Sequence, residues 1–110
     1  MRQGEIWRCN LDPTKGSEQA GFRPVVIVSG NLMNQYLNVV MVMPLTTRVK
    51  NYKGDVVLQP SSLNGLKQPS EVLTFHIRSL AKDRLVEKMG RISEKELAEL
   101  KQGLSDLMRY

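Results

Sequence analysis

The sequence predicts a mostly β chain forming a single domain over residues 1–110. It reads as five or six short strands in a mainly antiparallel barrel or curved sheet, capped by one C-terminal helix. Three observations predict it. Pro24–Ser29 and Val39–Met43 are unbroken or nearly unbroken apolar runs, the pattern of strands buried on both faces. Glycine and proline cluster in the segments between such runs, where they form turns. After Ser93 the leucines recur at helical spacing.

In chain order, Gly4–Asn10 reads as a first strand, with Trp7 and Cys9 on one face and Ile6 and Arg8 on the other. A long loop, Leu11 to Arg23, carries Asp12-Pro13, Gly16 and Gly21. A loop of that length in a compact domain is usually functional or disordered. Pro24 suits the start of the second strand, where its missing N–H costs least. Gly30–Leu37 reads as one or two helical turns or an irregular connection. The third strand, Val39–Met43, is expected to end at Pro44. Asp55–Leu58 is a fourth strand, residues 60–69 a loop, Glu71–Ile77 a fifth strand and Val86–Ile92 a sixth. Ser93 and Glu96 have capping-box spacing. Leu97, Leu100, Leu104, Leu107 and Met108 then form one apolar face for core packing, and Gly103 costs that helix up to about 1 kcal/mol relative to alanine.

Composition narrows function. A chain of 110 residues can bury roughly 60 to 68% of its unfolded surface, enough for a modest core. No apolar run reaches a membrane-spanning length of about 18 residues, and the N-terminus lacks an apolar leader, so a cytoplasmic location is expected. One cysteine and one histidine exclude an internal disulfide and speak against a zinc cluster; no metal and no cofactor are expected. Cys9 is expected to be a small buried apolar residue. The net charge is +5, and its placement matters more than its size. Arg48, Lys50 and Lys53 stand without an intervening acid, and Arg78 to Arg91 is predominantly basic. The final segment is slightly acidic. Basic middle loops suit a polyanionic partner.

Few residues remain to carry chemistry. Asp12 and Glu18 in the long loop have no evident partner carboxylate for glycosidase-type catalysis. No flanking signature makes His76 the base of a nucleophile, and inside TFHIRS it reads first as a satisfied structural residue. Arginine and hydroxyl chemistry is left. Arg23 opens the second strand and Thr46 follows the third. If those strands are antiparallel neighbours, the two residues share one sheet edge. A guanidinium binds phosphate oxygens bidentately and a threonine hydroxyl adds a further hydrogen bond. RNA carries its own nucleophile, the 2′-OH. Arg23 then stabilises charge first and donates a proton second, because arginine stays protonated. An ion pair from Glu18 to Arg23 is an alternative or additional role for both.

These residues resemble a known family. Gly4-Glu5-Ile6-Trp7, Asp12-Pro13-Thr14, Gly16-Ser17-Glu18-Gln19, Gly21, Arg23-Pro24, Pro44-Leu45-Thr46-Thr47 and His76-Ile77-Arg78-Ser79-Leu80 are similar, over essentially the whole chain, to the MazF/PemK toxins of bacterial toxin–antitoxin pairs. The resemblance implies an SH3-like barrel of five to seven mainly antiparallel strands with a C-terminal helix, acting as a homodimer. It implies a metal-independent endoribonuclease that cuts single-stranded RNA at short sequences, leaving a 2′,3′-cyclic phosphate and a 5′-OH. Its catalytic residues would be Arg23, Thr46 and Glu18. Ser17, Gln19, Phe22, Thr47, Arg48, Lys50, His76 and Arg78 would bind substrate. The implied partner is a MazE/PemI-like antitoxin with an acidic tail, through which DNA is met only indirectly. Two departures stand out. Ser17, Leu73 and Phe75 replace the His and the Arg-x-Asp pair of some PemK-like members, so the Arg/Thr arrangement fits better. His76 replaces a usual Gln. A CcdB-like gyrase poison of the same fold is the alternative, although its Gly-Ser-Glu-Gln loop would be unexplained. A plain RNA-binding barrel would want more than the six aromatics Trp7, Phe22, Tyr36, Tyr52, Phe75 and Tyr110 for base stacking.

Overall fold

The computed structural model describes residues 1–11 and 22–110. Ser17, Glu18 and Gln19 therefore lie outside the described residues. The described elements are β1 (Glu5–Asn10), β2 (Phe22–Ile27), α1 (Asn31–Tyr36), β3 (Val39–Thr46), β4 (Val56–Leu58), β5 (Ser70–Val72), β6 (Arg78–Ala81), β7 (Leu85–Arg91) and α2 (Glu94–Arg109). Short 3-10 turns at Thr74–His76 and Lys82–Arg84 flank β6. Every strand pairing is antiparallel. The order is β4-β5-β3-β2-β1-β7, with β6 on β3 as well. The expected curved antiparallel sheet with a terminal helix is borne out.

Strand alternation sorts the apolar runs onto two faces. Ile6, Val26, Met43, Leu45, Leu58 and Val72 form one cluster, which α2 covers with Leu97, Leu100 and Leu104. Cys9, Val25, Ile27, Val40, Val42, Leu80 and Leu85 form a second, with Trp7 against it. Burial on both faces is why the β2 and β3 runs are continuously apolar. Ser93 Oγ accepts from the Glu96 N–H at 3.1 Å and the Ser93 N–H donates to Glu96 Oε1 at 2.8 Å, completing the capping box. The apolar stripe packs only in part: Leu107 is 40% and Met108 79% exposed. Gly103 has a reason to be glycine. A β-carbon there would lie 2.1 Å from the Gly54 carbonyl oxygen, so α2 and the Gly54 turn touch backbone to backbone.

Three expectations need correction. Pro44 does not end the third strand; it sits within β3, opposite Val25. Its missing N–H falls where β3 changes neighbour, since β6 pairs as far as Val42 and β5 begins at Leu45. The fifth strand stops at Val72, and residues 74–76 form a 3-10 turn in place of strand. A further strand, β6, follows that turn. Among the described residues no helix is long and apolar enough to cross a membrane.

Candidate functional site

The site grows from the register of β2 on β3. Val25 faces Pro44, Val26 faces Met43 and Ile27 faces Val42. Continuing that register by two residues sets Arg23 opposite Thr46. Alternation puts Arg23 on the face of Val25 and Ile27, and Thr46 on the face of Val40, Val42 and Pro44, so both point the same way. Directly opposed residues bring their β-carbons to about 4.5–5.5 Å. The row runs on across the sheet, because Cys9 on β1 faces Arg23 and Glu71 on β5 faces Thr46. The antiparallel neighbourhood that the Arg/Thr reading needed is present.

Arg23, Pro24, Leu45, Thr46, Thr47 and Arg48 line one cleft of about 440 Å³. Among the described residues, this lining offers two guanidinium groups and two hydroxyls, and no carboxylate. Thr46 Oγ1 accepts the Arg48 N–H at 3.1 Å, which orients the hydroxyl and leaves its own proton free to donate to an anion. Arg23 is exposed, and Cys9 beside it is fully buried. Burial pushes the Cys9 thiol up to about 11, against the smaller opposing pull of Arg78 and Arg84, so it stays a neutral packing residue as expected.

The other sequence candidates divide. Phe22 is 40% exposed at the start of β2, and the Arg8 guanidinium lies over its ring at 5.2 Å. Arg78 sits on β6 opposite Val42, on the Arg23–Thr46 face but about 13 Å along β3 from Thr46. His76 is exposed. Its ring packs on Phe75 at 4.6 Å, and Phe75 meets Tyr52 edge-on at 5.4 Å. Lys50 lies in the loop after β3.

Sequence reasoning missed Glu71 and Asp55. Glu71 is fully buried and accepts three successive backbone N–H groups, from Lys50 at 2.6 Å, Asn51 at 2.8 Å and Tyr52 at 2.9 Å. Asp55 Oδ1 accepts the Thr74 N–H at 2.9 Å. Its Oδ2 is buried without a donor. A proton on that oxygen makes it a donor to the neighbouring Glu71 carboxylate. Burial, and then Glu71, raise Asp55 to about 6. Burial would raise Glu71 too, but the bonds from Asp55 and the three N–H groups outweigh it and hold Glu71 well below the usual range.

Comparison with known proteins decides the family. The family model for PemK-like, MazF-like toxins of type II toxin–antitoxin systems matches residues 2–108. The chain belongs to this family. It is 37% identical over 109 residues to the endoribonuclease MazF9 of Mycobacterium tuberculosis, covering 94% of this chain and 92% of that one. Its fold is similar to a crystal structure of MazF from Deinococcus radiodurans, with a TM-score of 0.80, 31% identity and coverage of 100% and 97%. A MazE–MazF structure from the same organism matches at a TM-score of 0.77 and 27% identity, covering 99% and 95%. The sequence resemblance to MazF/PemK toxins is borne out, and these matches do not favour a CcdB-like gyrase poison.

Proposed function

We propose that this MazF/PemK-family toxin is a sequence-specific, metal-independent endoribonuclease of single-stranded RNA that inhibits translation and growth. The observation that carries the reading is the shared cleft in which Arg23 stands opposite Thr46 with Arg48 beside them. The ribose 2′-oxygen attacks the adjacent phosphorus. The 2′-O–P bond forms, the P–O5′ bond breaks, the 2′-OH proton is removed and O5′ gains one. The products are a 2′,3′-cyclic phosphate and a 5′-OH. Arg23 stabilises the charge gathering on the non-bridging oxygens and the Thr46 hydroxyl donates to the same group. Glu18 completes the catalytic set. Ser17, Gln19, Phe22, Thr47, Arg48, Lys50, His76 and Arg78 hold the flanking strand. The protein acts as a homodimer and is neutralised by a MazE-like antitoxin whose acidic tail covers the basic cleft, in keeping with the MazE–MazF assembly of the Deinococcus relative.

The test is cleavage of single-stranded RNA in EDTA by the protein and by Arg23→Ala. Cleavage without metal that falls at least about 10²-fold in the variant, at unchanged melting temperature, supports the reading. Cleavage that needs added metal, or survives Arg23→Ala, overturns it. A substrate with 2′-deoxyribose at the cut site should resist.

A further inference from the structure

The loop between β3 and β4, residues 47–55, carries Arg48, Lys50 and Lys53 and follows directly on Thr46. Such a loop has little to hold it. Its cations repel one another, and Asn51 adopts a left-handed backbone with φ of 57°. The structure holds it from beneath. The buried Glu71 carboxylate receives the consecutive N–H groups of Lys50, Asn51 and Tyr52, an anion seated in a nest of backbone donors. Glu71 stands opposite Thr46 across the β3–β5 pairing. The loop's far end is fixed independently. Thr74 Oγ1 donates to the Gly54 carbonyl at 3.0 Å, and Gly54 lies against Gly103 of α2. The anchored loop sets Tyr52 against Phe75, and both rings remain about half exposed.

A carboxylate next to Thr46 invites the role of general base for the 2′-OH. The geometry argues otherwise. Both Glu71 oxygens are occupied by donors, and the group is fully buried. A base needs a free lone pair within reach of the substrate proton.

We infer that Glu71 is a positioning residue: its buried carboxylate fixes the 47–55 loop so that Arg48, Lys50, Lys53 and Tyr52 meet the RNA strand flanking the scissile phosphate. This rests on the proposed nuclease reading. Its effect falls mainly on RNA binding, because β2–β3 register places Arg23 and Thr46, and the Glu71 bonds reach the Lys50–Tyr52 backbone, beyond the Arg48 N–H that orients the Thr46 hydroxyl. Phosphate contacts carry the salt dependence of binding, so loss of the hold also reduces that dependence.

Two measurements test it, on the full chain and on Glu71→Gln, which keeps the shape and removes the charge. In cleavage of a single-site RNA, KM should rise about tenfold or more while kcat stays within about threefold. The slope of log(kcat/KM) against log[salt] should shrink by about one. In amide NMR spectra, the Lys50, Asn51 and Tyr52 signals should lie downfield in the wild type and move upfield together in the variant. Should Glu71→Gln not fold, Asn51→Pro releases the loop from the other side, since proline cannot adopt a positive φ; it should give the same KM effect. A fall in kcat at unchanged KM, or amide signals that ignore Glu71→Gln, overturns the inference. If the wild type cuts no RNA, the nuclease reading fails, and the amide signals still decide whether Glu71 holds the loop.

Discussion

Two parts of one surface are built by different means. Arg23 and Thr46 are placed by strand register, through backbone hydrogen bonds that continue into the core residues Val25, Val26, Met43 and Val42. Arg48, Lys50 and Tyr52 are placed by side-chain chemistry, with a single buried carboxylate gathering the loop that carries them. The first device is stiff, since shifting the register would turn every buried side chain to the wrong face. The second depends on one residue, Glu71, whose carboxylate neighbours that of Asp55. Arg23 and Thr46 thus sit on the rigid part, and Arg48, Lys50 and Tyr52 sit on the adjustable part.

The sharpest way to break the register-borne part is Thr46→Val. It keeps shape and removes the hydroxyl, so kcat should fall about 10²-fold with little change in KM or melting temperature. The opposite pattern, a KM effect alone, would move Thr46 into the binding surface.

Gly103→Ala probes the anchor of the loop. Helix propensity predicts a gain of up to about 1 kcal/mol. The contact with the Gly54 carbonyl predicts a loss of about 2 kcal/mol, because backbone must give way. Urea unfolding decides between them, and the loss should come with a raised KM.

Stability against pH sharpens the picture of the acid pair. Asp55 holds its proton more tightly folded than unfolded, so its contribution is full below its ordinary value of 3.8 and is lost as pH rises through about 6. Glu71 has the opposite sign: its contribution is present above its ordinary 4.5 and is lost as pH falls below that value. Asp55→Asn should remove the decline between pH 4 and 6 and raise the melting temperature at pH 7. Parallel melting curves for the two proteins across that range would refute the shared proton.

The smallest effect is expected at Glu87→Ala. The Arg8–Glu87 pair, 3.3 Å apart, is exposed. Its loss should change stability by no more than about 0.5 kcal/mol, measured by the same unfolding curves.

Much of this was legible in the sequence, and the misses have physical causes. The β2 and β3 runs announce themselves because burial on both faces demands apolar residues at every position. The capping box of α2 is readable because its partners lie three residues apart. β6 has almost no apolar signature, because only Leu80 of its four residues is buried. The place of Pro44 inside a strand is not legible locally, because a proline there is tolerated only where a neighbour is missing, which no local pattern records. Arg23 and Thr46 stand out by their types and flanks. Glu71 does not, because its donors lie 19 to 21 residues away and a glutamate in a short strand resembles any solvated edge residue.

The sequence by itself determined the strand runs, the terminal helix and its cap, the basic middle loops and the motifs of the MazF/PemK family. All of these are local patterns of polarity, charge and residue type. Only the tertiary structure decided that Arg23 faces Thr46, that β3 changes partner at Pro44 and that Glu71 holds the basic loop. Those are matters of register and burial between segments far apart in the chain, and no local pattern encodes which segment will lie beside which.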